Sequence, residues 1–411
     1  MASFSFAAGN ARKLARIPLY ALGRIATAII PRRRGAWVFG CGIGVADGAL
    51  ALWQVAERDD AVWLTGSREE NQDAAEAGIP TLRRHSLRGF WATARAQVIV
   101  VTHGFGDVNR YAVSGAFVVQ LWHGIPLKRI GLDSPETVRP PATLARVPGV
   151  RRLIARLYRG AARRIGLLPA ASHLVRGRLE SAFGLPDERV PVTGEPRVDV
   201  LSQGDPDRRR SAARALVESR VGAIGAARLW LYAPTWRDGA TDPAVPTVRQ
   251  WRTLIGVLED ADAILLVRSH PLGAGEYRPP GRTDRVRALG SDILRDVTPA
   301  LPGLDVLITD YSSLVYDAGL VPLPVVFLAP DVDDYARTRG FYGTYAEVAG
   351  DDVAATWDEA AAQLASMADP QVRAARVARS EALSARVHAY RDGGSSARVH
   401  RAVIAAIGGA A

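Results

Sequence analysis

The sequence predicts an α/β protein built from two Rossmann-like domains that face a central cleft. Short apolar runs alternate with helix-like stretches along most of the chain, a pattern typical of parallel sheets. Several of these runs end in clusters of polar residues, as strands do where open α/β sheets bind ligands. The chain is also 411 residues long, which exceeds the size at which a single hydrophobic core keeps growing. Two domains of similar size are therefore expected.

The domain boundaries follow from shifts in composition along the chain. We expect a basic amphipathic segment over residues 1–35, a first Rossmann-like domain over 36–190, a second over 191–390 and a C-terminal tail over 391–411. Buried-type strands are expected in the first domain at 36–39, 61–64, 96–101 and 116–122. In the second domain they are expected at 229–233, 263–267, 306–309 and 324–328.

The N-terminal segment carries apolar residues at near-helical spacing and ends in a run of three arginines, Arg32 to Arg34. A basic amphipathic helix of this kind can lie in the interface of an anionic membrane. It can equally pack on its own domain with a solvated basic face. The stretch 151–165 has a similar pattern, and there a docked helix is weighed against a second membrane or polyphosphate contact. The apolar residues of the first segment include Leu14, Ile17, Leu22, Ile25 and Ile29, and its other basic residues are Arg12, Lys13, Arg16 and Arg24.

Composition restricts the compartment and the partners. A net charge of +10 favours polyanionic partners or an anionic membrane surface, and no nucleic-acid partner is expected. The single cysteine, Cys41, excludes an intrachain disulfide and a cysteine-based zinc cluster, which fits a reducing compartment. No secretory signal is visible at the start, and the uncharged stretch 111–127 contains His123, Gly124 and Pro126, so it favours a strand and loop over a membrane span. We expect a cytoplasmic protein that is peripheral on the inner face of the cell membrane.

Two motifs are similar to ligand-binding motifs, but neither has the sequence context that such a site requires. Gly40-Cys41-Gly42-Ile43-Gly44 follows a strand, as a dinucleotide-binding turn does, but its third glycine comes one residue early. We therefore expect these glycines to serve packing. Asp331-Val332-Asp333 has the spacing of a metal-binding acidic pair, yet it follows a late strand in an α/β pattern, so no metal is expected there.

Four strand ends share one design, in which an apolar run passes directly into polar and charged residues. Because the strands alternate with helices, these ends should meet at one shared site. His103, in Thr102-His103-Gly104, ends a further strand of the first domain. The four strand ends are Trp122-His123-Gly124-Ile125-Pro126-Leu127-Lys128, Tyr232-Ala233-Pro234-Thr235-Trp236-Arg237-Asp238, Val267-Arg268-Ser269-His270-Pro271 and Asp305-Val306-Leu307-Ile308-Thr309-Asp310-Tyr311-Ser312-Ser313.

Taken in order, the motifs resemble those of the CDP-glycerol glycerophosphotransferase family, the teichoic-acid primases and polymerases and their capsule-building relatives. The resemblance covers roughly residues 31–345. Two departures stand out: Ile125 replaces a threonine that is common in the family, and Ala46-Asp47-Gly48 replaces its acidic–asparagine turn. The matching motifs are the histidine motif at 122–128 with Asp133, the glycine-proline-arginine turn at 194–199, the proline-threonine-tryptophan-arginine motif at 232–238, the second histidine at 268–271, the serine pair at 309–317 and a tail motif at 334–335 with 339–342.

The resemblance implies a glycosyltransferase B-type fold and a specific reaction. The domain at 36–190 would bind the acceptor and the domain at 191–390 the CDP-linked donor. The enzyme would transfer glycerol phosphate, or a related polyol phosphate, to a hydroxyl of a lipid-linked or polymeric acceptor and release CMP. Its partners would be a CDP-polyol, that acceptor and an anionic membrane surface, and no cofactor or metal is implied. The oligomeric state is left open.

Candidate roles follow for the polar residues of the strand ends. His123 is expected to remove the proton of the acceptor hydroxyl, because histidine titrates near neutrality. His270 is expected to stabilise the diphosphate or to protonate the leaving group. The donor-side candidates are Arg268, Ser312, Ser313, Thr235, Arg237 and Asp310, and the acceptor-side candidates are Lys128, Asp133 and His103.

Two other kinds of function remain open at this point. A nucleotide-sugar-dependent glycosyltransferase could use the same fold, and the mass of the product would distinguish it. A non-catalytic module that binds polyanions or membranes is disfavoured, because both histidines and both serines are present.

Overall fold

The computed structural model of the protein describes residues 17–56, 60–140, 144, 146–235, 237, 242–269 and 277–408. The chain divides into two compact units. Unit 1 comprises Met1–Gly124, Arg129–Asp199 and Asp392–Ala411, and unit 2 comprises Ile125–Lys128 and Val200–Arg391.

Unit 1 is built on a six-stranded parallel sheet in the order β3-β2-β1-β4-β5-β6. The middle strands are rich in valine, isoleucine and aromatic residues. β4 is almost fully buried and β1 is buried over Trp37–Phe39, as expected for a parallel sheet covered on both faces. The chain order changes direction between β1 and β4, so ligands are expected at the carboxyl ends of these two strands. The strands are β1 (Arg33–Phe39), β2 (Ala61–Thr65), β3 (Thr81–Arg83), β4 (Ala96–Val101), β5 (Phe117–Gln120) and β6 (Ile165–Leu167).

In the part of unit 1 that the structure describes there are seven helices. Three of them begin behind a serine whose hydroxyl accepts a hydrogen bond from a backbone N–H of the first turn, namely Ser67, Ser86 and Ser172. The helices are α1 (Ile17–Ile29), α2 (Asp47–Val55), α3 (Arg68–Glu76), α4 (Leu87–Arg95), α5 (Val150–Ala162), α6 (His173–Phe183) and α14 (Ser395–Gly408).

Unit 2 contains a second six-stranded parallel sheet, in the order β12-β11-β10-β7-β8-β9. When its strands are counted from β7, this is the same order as in unit 1, and its direction changes between β7 and β10. Its strands are β7 (Arg228–Ala233), β8 (Ala263–Val267), β9 (Val286–Ala288), β10 (Val306–Thr309), β11 (Val325–Leu328) and β12 (Val353–Ala354). Its helices are α7 (Pro206–Val221), α8 (Val248–Asp260), α9 (Leu314–Ala318), α10 (Val332–Thr338), α11 (Ala346–Ala349), α12 (Trp357–Ser366) and α13 (Pro370–Val387).

Each sheet has its own hydrophobic core. In unit 1, Trp37, Phe39 and Trp63 pack with Leu52 of α2 and Val399 of α14. In unit 2, Trp230, Leu265 and Ile308 pack with Trp251 of α8 and Trp357 of α12. Within the described ranges, no helix combines the length and the apolar character that crossing a bilayer requires. The prediction of an α/β protein with two Rossmann-like sheets is confirmed.

Candidate functional site

His123 lies in the loop that leaves β5, next to the position where the sheet order of unit 1 changes direction. The loop turns sharply, because Trp122 has a positive φ of 64° and Gly124 one of 135°. A positive φ is costly for a side chain as large as tryptophan, so the rest of the loop must hold this conformation. The turn brings the imidazole of His123 face to face with that of His103, with the ring centroids 4.3 Å apart and the planes 4° from parallel.

His103 is fixed by the loop that leaves β4. The Thr102 hydroxyl lies 2.8 Å from Nδ1 of His103. One carboxylate oxygen of Asp107 accepts hydrogen bonds from the backbone N–H groups of Thr102, His103 and Gly104, at 3.0, 2.8 and 3.3 Å. These bonds hold the loop and set the plane on which His123 stacks.

Burial keeps both imidazoles in the neutral form. Removal from water lowers the pKa of His103 to about 4. It also lowers the pKa of His123 well below the usual value; the positive charge of Arg197 acts in the same direction, whereas a hydrogen bond to the Thr102 backbone raises the pKa. Nδ1 of His123 is buried and has no hydrogen-bond partner among the described residues. A neutral imidazole with a vacant ring nitrogen can accept a proton.

Sequence reasoning missed one pair near His123. Arg197 and Glu195 are both buried, and Nε of Arg197 donates to the Glu195 carboxylate at 3.0 Å. The charge of Arg197 lowers the pKa of His123, so the Arg197–Glu195 pair lies at the same edge of unit 1 as His123. The available signal was the glycine-proline-arginine turn, which was noted as a motif but given no role.

Asp133, another acceptor-side candidate, lies against helix α6. Its carboxylate accepts a hydrogen bond of 2.6 Å from the Ser181 hydroxyl. It therefore ties the chain after the histidine loop to α6.

Asp310 is the centre of the polar cluster of unit 2. It follows β10, and its carboxylate accepts hydrogen bonds from the backbone N–H of Thr235 at 2.8 Å and from Nη1 of Arg237 at 2.7 Å. Both partners follow β7, so Asp310 joins the two strands between which the sheet order reverses. Through these contacts Asp310 orients Thr235 and Arg237.

Arg237 forms ion pairs with two carboxylates. Besides Asp310 it pairs with Asp331, to which Nε and Nη2 donate at 2.9 and 2.8 Å. Its guanidinium lies over the rings of Tyr311 and Tyr335, at 5.0 and 5.2 Å from their centroids. These contacts raise the pKa of Arg237 against the effect of burial. Arg237 therefore orders the cluster, and Asp331 serves as its counter-ion.

Three hydroxyl groups line the same edge of unit 2. Oγ of Ser312 accepts a hydrogen bond of 3.3 Å from the backbone N–H of Leu314, and Ser313 precedes α9. Oγ1 of Thr235 is buried and has no hydrogen-bond partner in the described part of the chain. These hydroxyls are the groups through which a phosphate could be bound.

Arg268 follows β8 and holds a neighbouring loop. Its guanidinium donates to the carbonyls of Leu289, Leu294 and Arg295, at 3.2, 2.6 and 2.8 Å. These bonds use two of its nitrogen atoms for structure. His270 lies outside the described residues, so its expected role stays a prediction.

Lys128 belongs to unit 2, where its short segment pairs with the tail motif. Lys128 forms an antiparallel bridge with Phe341, and the backbone N–H of Tyr342 donates to the Leu127 carbonyl at 3.0 Å. Burial lowers the pKa of Lys128 to about 8, and the carboxylate of Asp310 opposes this effect. The ammonium of Lys128 is thus part of the Asp310 cluster, and the tail motif holds it there.

Comparisons with known proteins show the family of the chain. The sequence profile of the family described as CDP-Glycerol:Poly(glycerophosphate) glycerophosphotransferase matches residues 49–405. The teichoic acid glycerol-phosphate transferase of Staphylococcus aureus is 26% identical over 317 residues, which cover 73% of this chain and 75% of that protein. The teichoic acid poly(glycerol phosphate) polymerase of Bacillus subtilis is 26% identical over 306 residues, 72% of this chain but only 38% of that longer protein.

The fold has a solved counterpart. A structure of the wall teichoic acid polymerase TagF superposes with a TM-score of 0.75 at 20% identity and covers 98% of this chain and 97% of that one. The fold is therefore of the glycosyltransferase B type, as the resemblance implied. The family match covers strands β2 to β12 and all of the described strand ends that were predicted to carry the site. The chain belongs to the CDP-glycerol:poly(glycerophosphate) glycerophosphotransferase family.

Proposed function

We propose that the protein transfers glycerol phosphate, or a related polyol phosphate, from a CDP-activated donor to a hydroxyl of a lipid-linked or polymeric acceptor. CMP is released, and the product is a teichoic acid or a similar anionic polymer of the cell envelope. Family membership supports this reaction, as do relatives named glycerol-phosphate transferases and polymerases. The observation that carries the mechanism is the half-buried imidazole of His123, which is held neutral and whose Nδ1 has no hydrogen-bond partner among the described residues.

His123 acts as the general base of unit 1. The acceptor hydroxyl forms a bond to the phosphorus that carries the polyol, and its proton passes to the imidazole. The bond between that phosphorus and the bridging oxygen of the diphosphate breaks, and the electron pair leaves with CMP. His103 and Arg197 position the imidazole and keep it neutral before the acceptor arrives.

Unit 2 holds the donor diphosphate. The hydroxyls of Ser312, Ser313 and Thr235 donate hydrogen bonds to phosphate oxygens, and the Lys128 ammonium supplies positive charge. Asp310 and Arg237 position these groups through their contacts with Thr235. His270 is assigned to the leaving group.

The test is an incubation of the full chain with CDP-glycerol, CDP-ribitol and a UDP-sugar, each with a glycerol-phosphate oligomer as acceptor. We expect release of CMP and growth of the acceptor by the mass of one polyol phosphate. His123→Ala should abolish both, whereas His173→Ala, which changes an exposed histidine at the start of α6, should not. Growth by the mass of a hexose would replace the proposal with a nucleotide-sugar transferase.

We also propose that unit 1 binds an anionic membrane surface, which would bring the enzyme to lipid-linked acceptors. Helix α1 buries its small residues Gly23 and Thr27 and leaves large apolar side chains exposed. Helix α5 likewise exposes Leu153 and Leu157 among its arginines. Exposed apolar side chains flanked by cations suit a surface of anionic head groups. The exposed apolar residues of α1 are Leu19, Tyr20, Leu22, Ile25 and Ile29, and the exposed arginines of α5 and its end are Arg151, Arg152, Arg156, Arg159, Arg163 and Arg164.

The two helices share this surface because their basic residues are neighbours. Partial burial and the charge of Arg24 of α1 lower the pKa of Arg164, which follows α5, and Tyr20 of α1 opposes them. The arginine run at the end of the N-terminal segment contributes less than the sequence suggested. Arg32 donates to the carbonyls of Thr93 and Ala96 at 3.0 and 2.6 Å, so its charge is used inside unit 1.

A further inference from the structure

Three potential metal ligands from distant parts of the chain meet in unit 1. Cys41 follows β1, Asp47 begins α2 and His103 follows β4, and each offers one ligand atom within 4.8 Å of the other two. β1 and β4 are the neighbouring strands between which the sheet order changes direction. The cluster thus occupies the position at which open α/β sheets bind ligands.

We propose that Cys41, Asp47 and His103 bind one divalent cation of the zinc class. A thiolate, an imidazole and a carboxylate are a donor set that zinc and cobalt accept, whereas magnesium and calcium prefer oxygen ligands alone. The ligand atoms lie within 4.8 Å of one another, so small rotations of their side chains are enough for them to converge on one ion. Three protein ligands leave a fourth position for water or another oxygen.

Hydrogen bonds around the cluster hold the ligand side chains in place before an ion binds. The Thr102 hydroxyl lies 3.2 Å from Sγ of Cys41 and 2.8 Å from Nδ1 of His103, so one side chain orients two ligands. Thr102 is itself held by the backbone N–H of Gly42 at 3.3 Å. Groups that orient ligands in this way are typical of metal sites. A side chain at Gly42 would come within 2.5 Å of the His103 ring, so the glycine lets the ring lie against the Cys41 loop.

Charge and backbone conformation point to the same use. Cys41 and His103 are buried, and a carboxylate oxygen of Asp47 lies within 4.8 Å of the Cys41 sulfur. A divalent ion would neutralise both the carboxylate and the thiolate, and the proton would leave to solvent. Asp47 also has a positive φ of 61°, a strained conformation for a residue with a side chain. The strain places its carboxylate beside Cys41.

The experiment uses the purified full chain, freed of metal by a chelator and titrated with Co²⁺ and then with Zn²⁺. We expect one ion per chain and a near-ultraviolet charge-transfer band from a cobalt–thiolate bond. Cys41→Ser should remove that band and weaken Zn²⁺ binding by at least about tenfold, and Asp47→Asn should weaken it while leaving the band. The matched control is His173→Gln, which removes an exposed histidine of the same unit.

The proposal would be overturned by equal binding of Zn²⁺ to the wild type and to Cys41→Ser, or by less than one ion per chain at saturation. If Cys41→Ser does not fold, X-ray absorption of the wild type with Zn²⁺ decides the matter. The proposal requires one sulfur ligand at about 2.3 Å, and a zinc ion surrounded by oxygen and nitrogen alone would refute it. None of these measurements depends on transferase activity, so they stand apart from the test of the proposed function.

Discussion

The imidazole of His123 carries the proton transfer in the proposed reaction. His123→Ala should therefore lower kcat by roughly 10² to 10⁴, the range usual for loss of a general base. CDP should bind as before, because the groups assigned to the donor belong to unit 2. Release of CMP and calorimetric titration with CDP would measure the two effects separately. Turnover within a few-fold of the wild type would remove His123 from the mechanism, and His173→Ala serves as the control.

The ammonium of Lys128 gives the enzyme an alkaline limit. Burial and the charges of Arg339 and Arg237 lower its pKa to about 8, against the carboxylate of Asp310. If the charged form attracts the diphosphate, kcat/KM falls as the pH rises through about 8. Lys128→Arg should shift this fall to higher pH, because a guanidinium keeps its proton. A pH profile with the same alkaline limb in the wild type and in Lys128→Arg would assign that limb to another group.

The contact between helices α9 and α13 sets the position of the serine pair. A Cβ atom at Gly319, directly after α9, would lie 2.1 Å from the Ser380 carbonyl oxygen of α13. Gly319→Ala should therefore lower the free energy of unfolding by about 1 to 3 kcal/mol and raise the KM for the donor, since α9 starts after Ser313. Denaturant unfolding and initial rates would measure both.

A matched substitution is available in the same unit. Gly256 lies inside α8, and a Cβ atom there would meet nothing within 4 Å. Gly256→Ala should stabilise the protein by up to about 1 kcal/mol and leave the donor KM unchanged. Equal stability of the two variants would mean that α9 and α13 can separate at no cost.

The central strands were predictable and the edge strands were not. β8 and β10 are uninterrupted apolar runs because both faces of the sheet are covered, and such runs are visible in any sequence. β3, β6, β9 and β12 were missed. They have only two or three residues each and lie at the edges, where pairing on one side is enough.

The candidate site shows the same difference: some of its residues are recognisable from the local sequence, whereas their contacts depend on residues far away in the chain. The strand ends indicated His123, Asp310 and Ser312 as candidates, because the change from apolar to polar residues is visible within a few consecutive positions. The partners that fix them come from elsewhere in the chain. Asp331, for example, pairs with Arg237 although 94 positions separate them. Likewise, the presence of a single cysteine excluded a metal site built from several cysteines, but it did not indicate whether a metal site with mixed ligands is present.

The last helix of the chain returns to the first unit, and Asp199 fixes it there. The Asp199 carboxylate accepts hydrogen bonds from the backbone N–H groups of Ser395 and Ser396 at 2.9 and 2.7 Å, where α14 begins. Asp199 is buried, so Asp199→Ala should cost about 1 to 3 kcal/mol of unfolding free energy. Asp199→Asn, which keeps one acceptor, should cost less. Thermal unfolding would rank the three proteins, and an unchanged midpoint for Asp199→Ala would refute the role.

The surface formed by α1 and α5 offers a test of where the enzyme works. Ile25 and Ile29 are 58% and 77% exposed, so burying their exposed parts among lipids would contribute about 1 to 2 kcal/mol each. The double change to glutamine should therefore lower binding to phosphatidylglycerol vesicles at least tenfold, as measured by sedimentation, and leave activity on a short soluble acceptor unchanged.

The charge of the same surface should act through salt. Each arginine near an anionic leaflet contributes about 1 kcal/mol, and ions screen this attraction over about 10 Å at 0.1 M ionic strength. Wild-type binding should weaken as salt is added, and vesicles of phosphatidylcholine alone should retain little protein. The matched control is Val248→Gln, an exposed apolar side chain of unit 2. Both the control and the double change remove exposed apolar surface, but only the double change removes it from α1. If the two variants bind the vesicles equally, α1 is therefore not the contact.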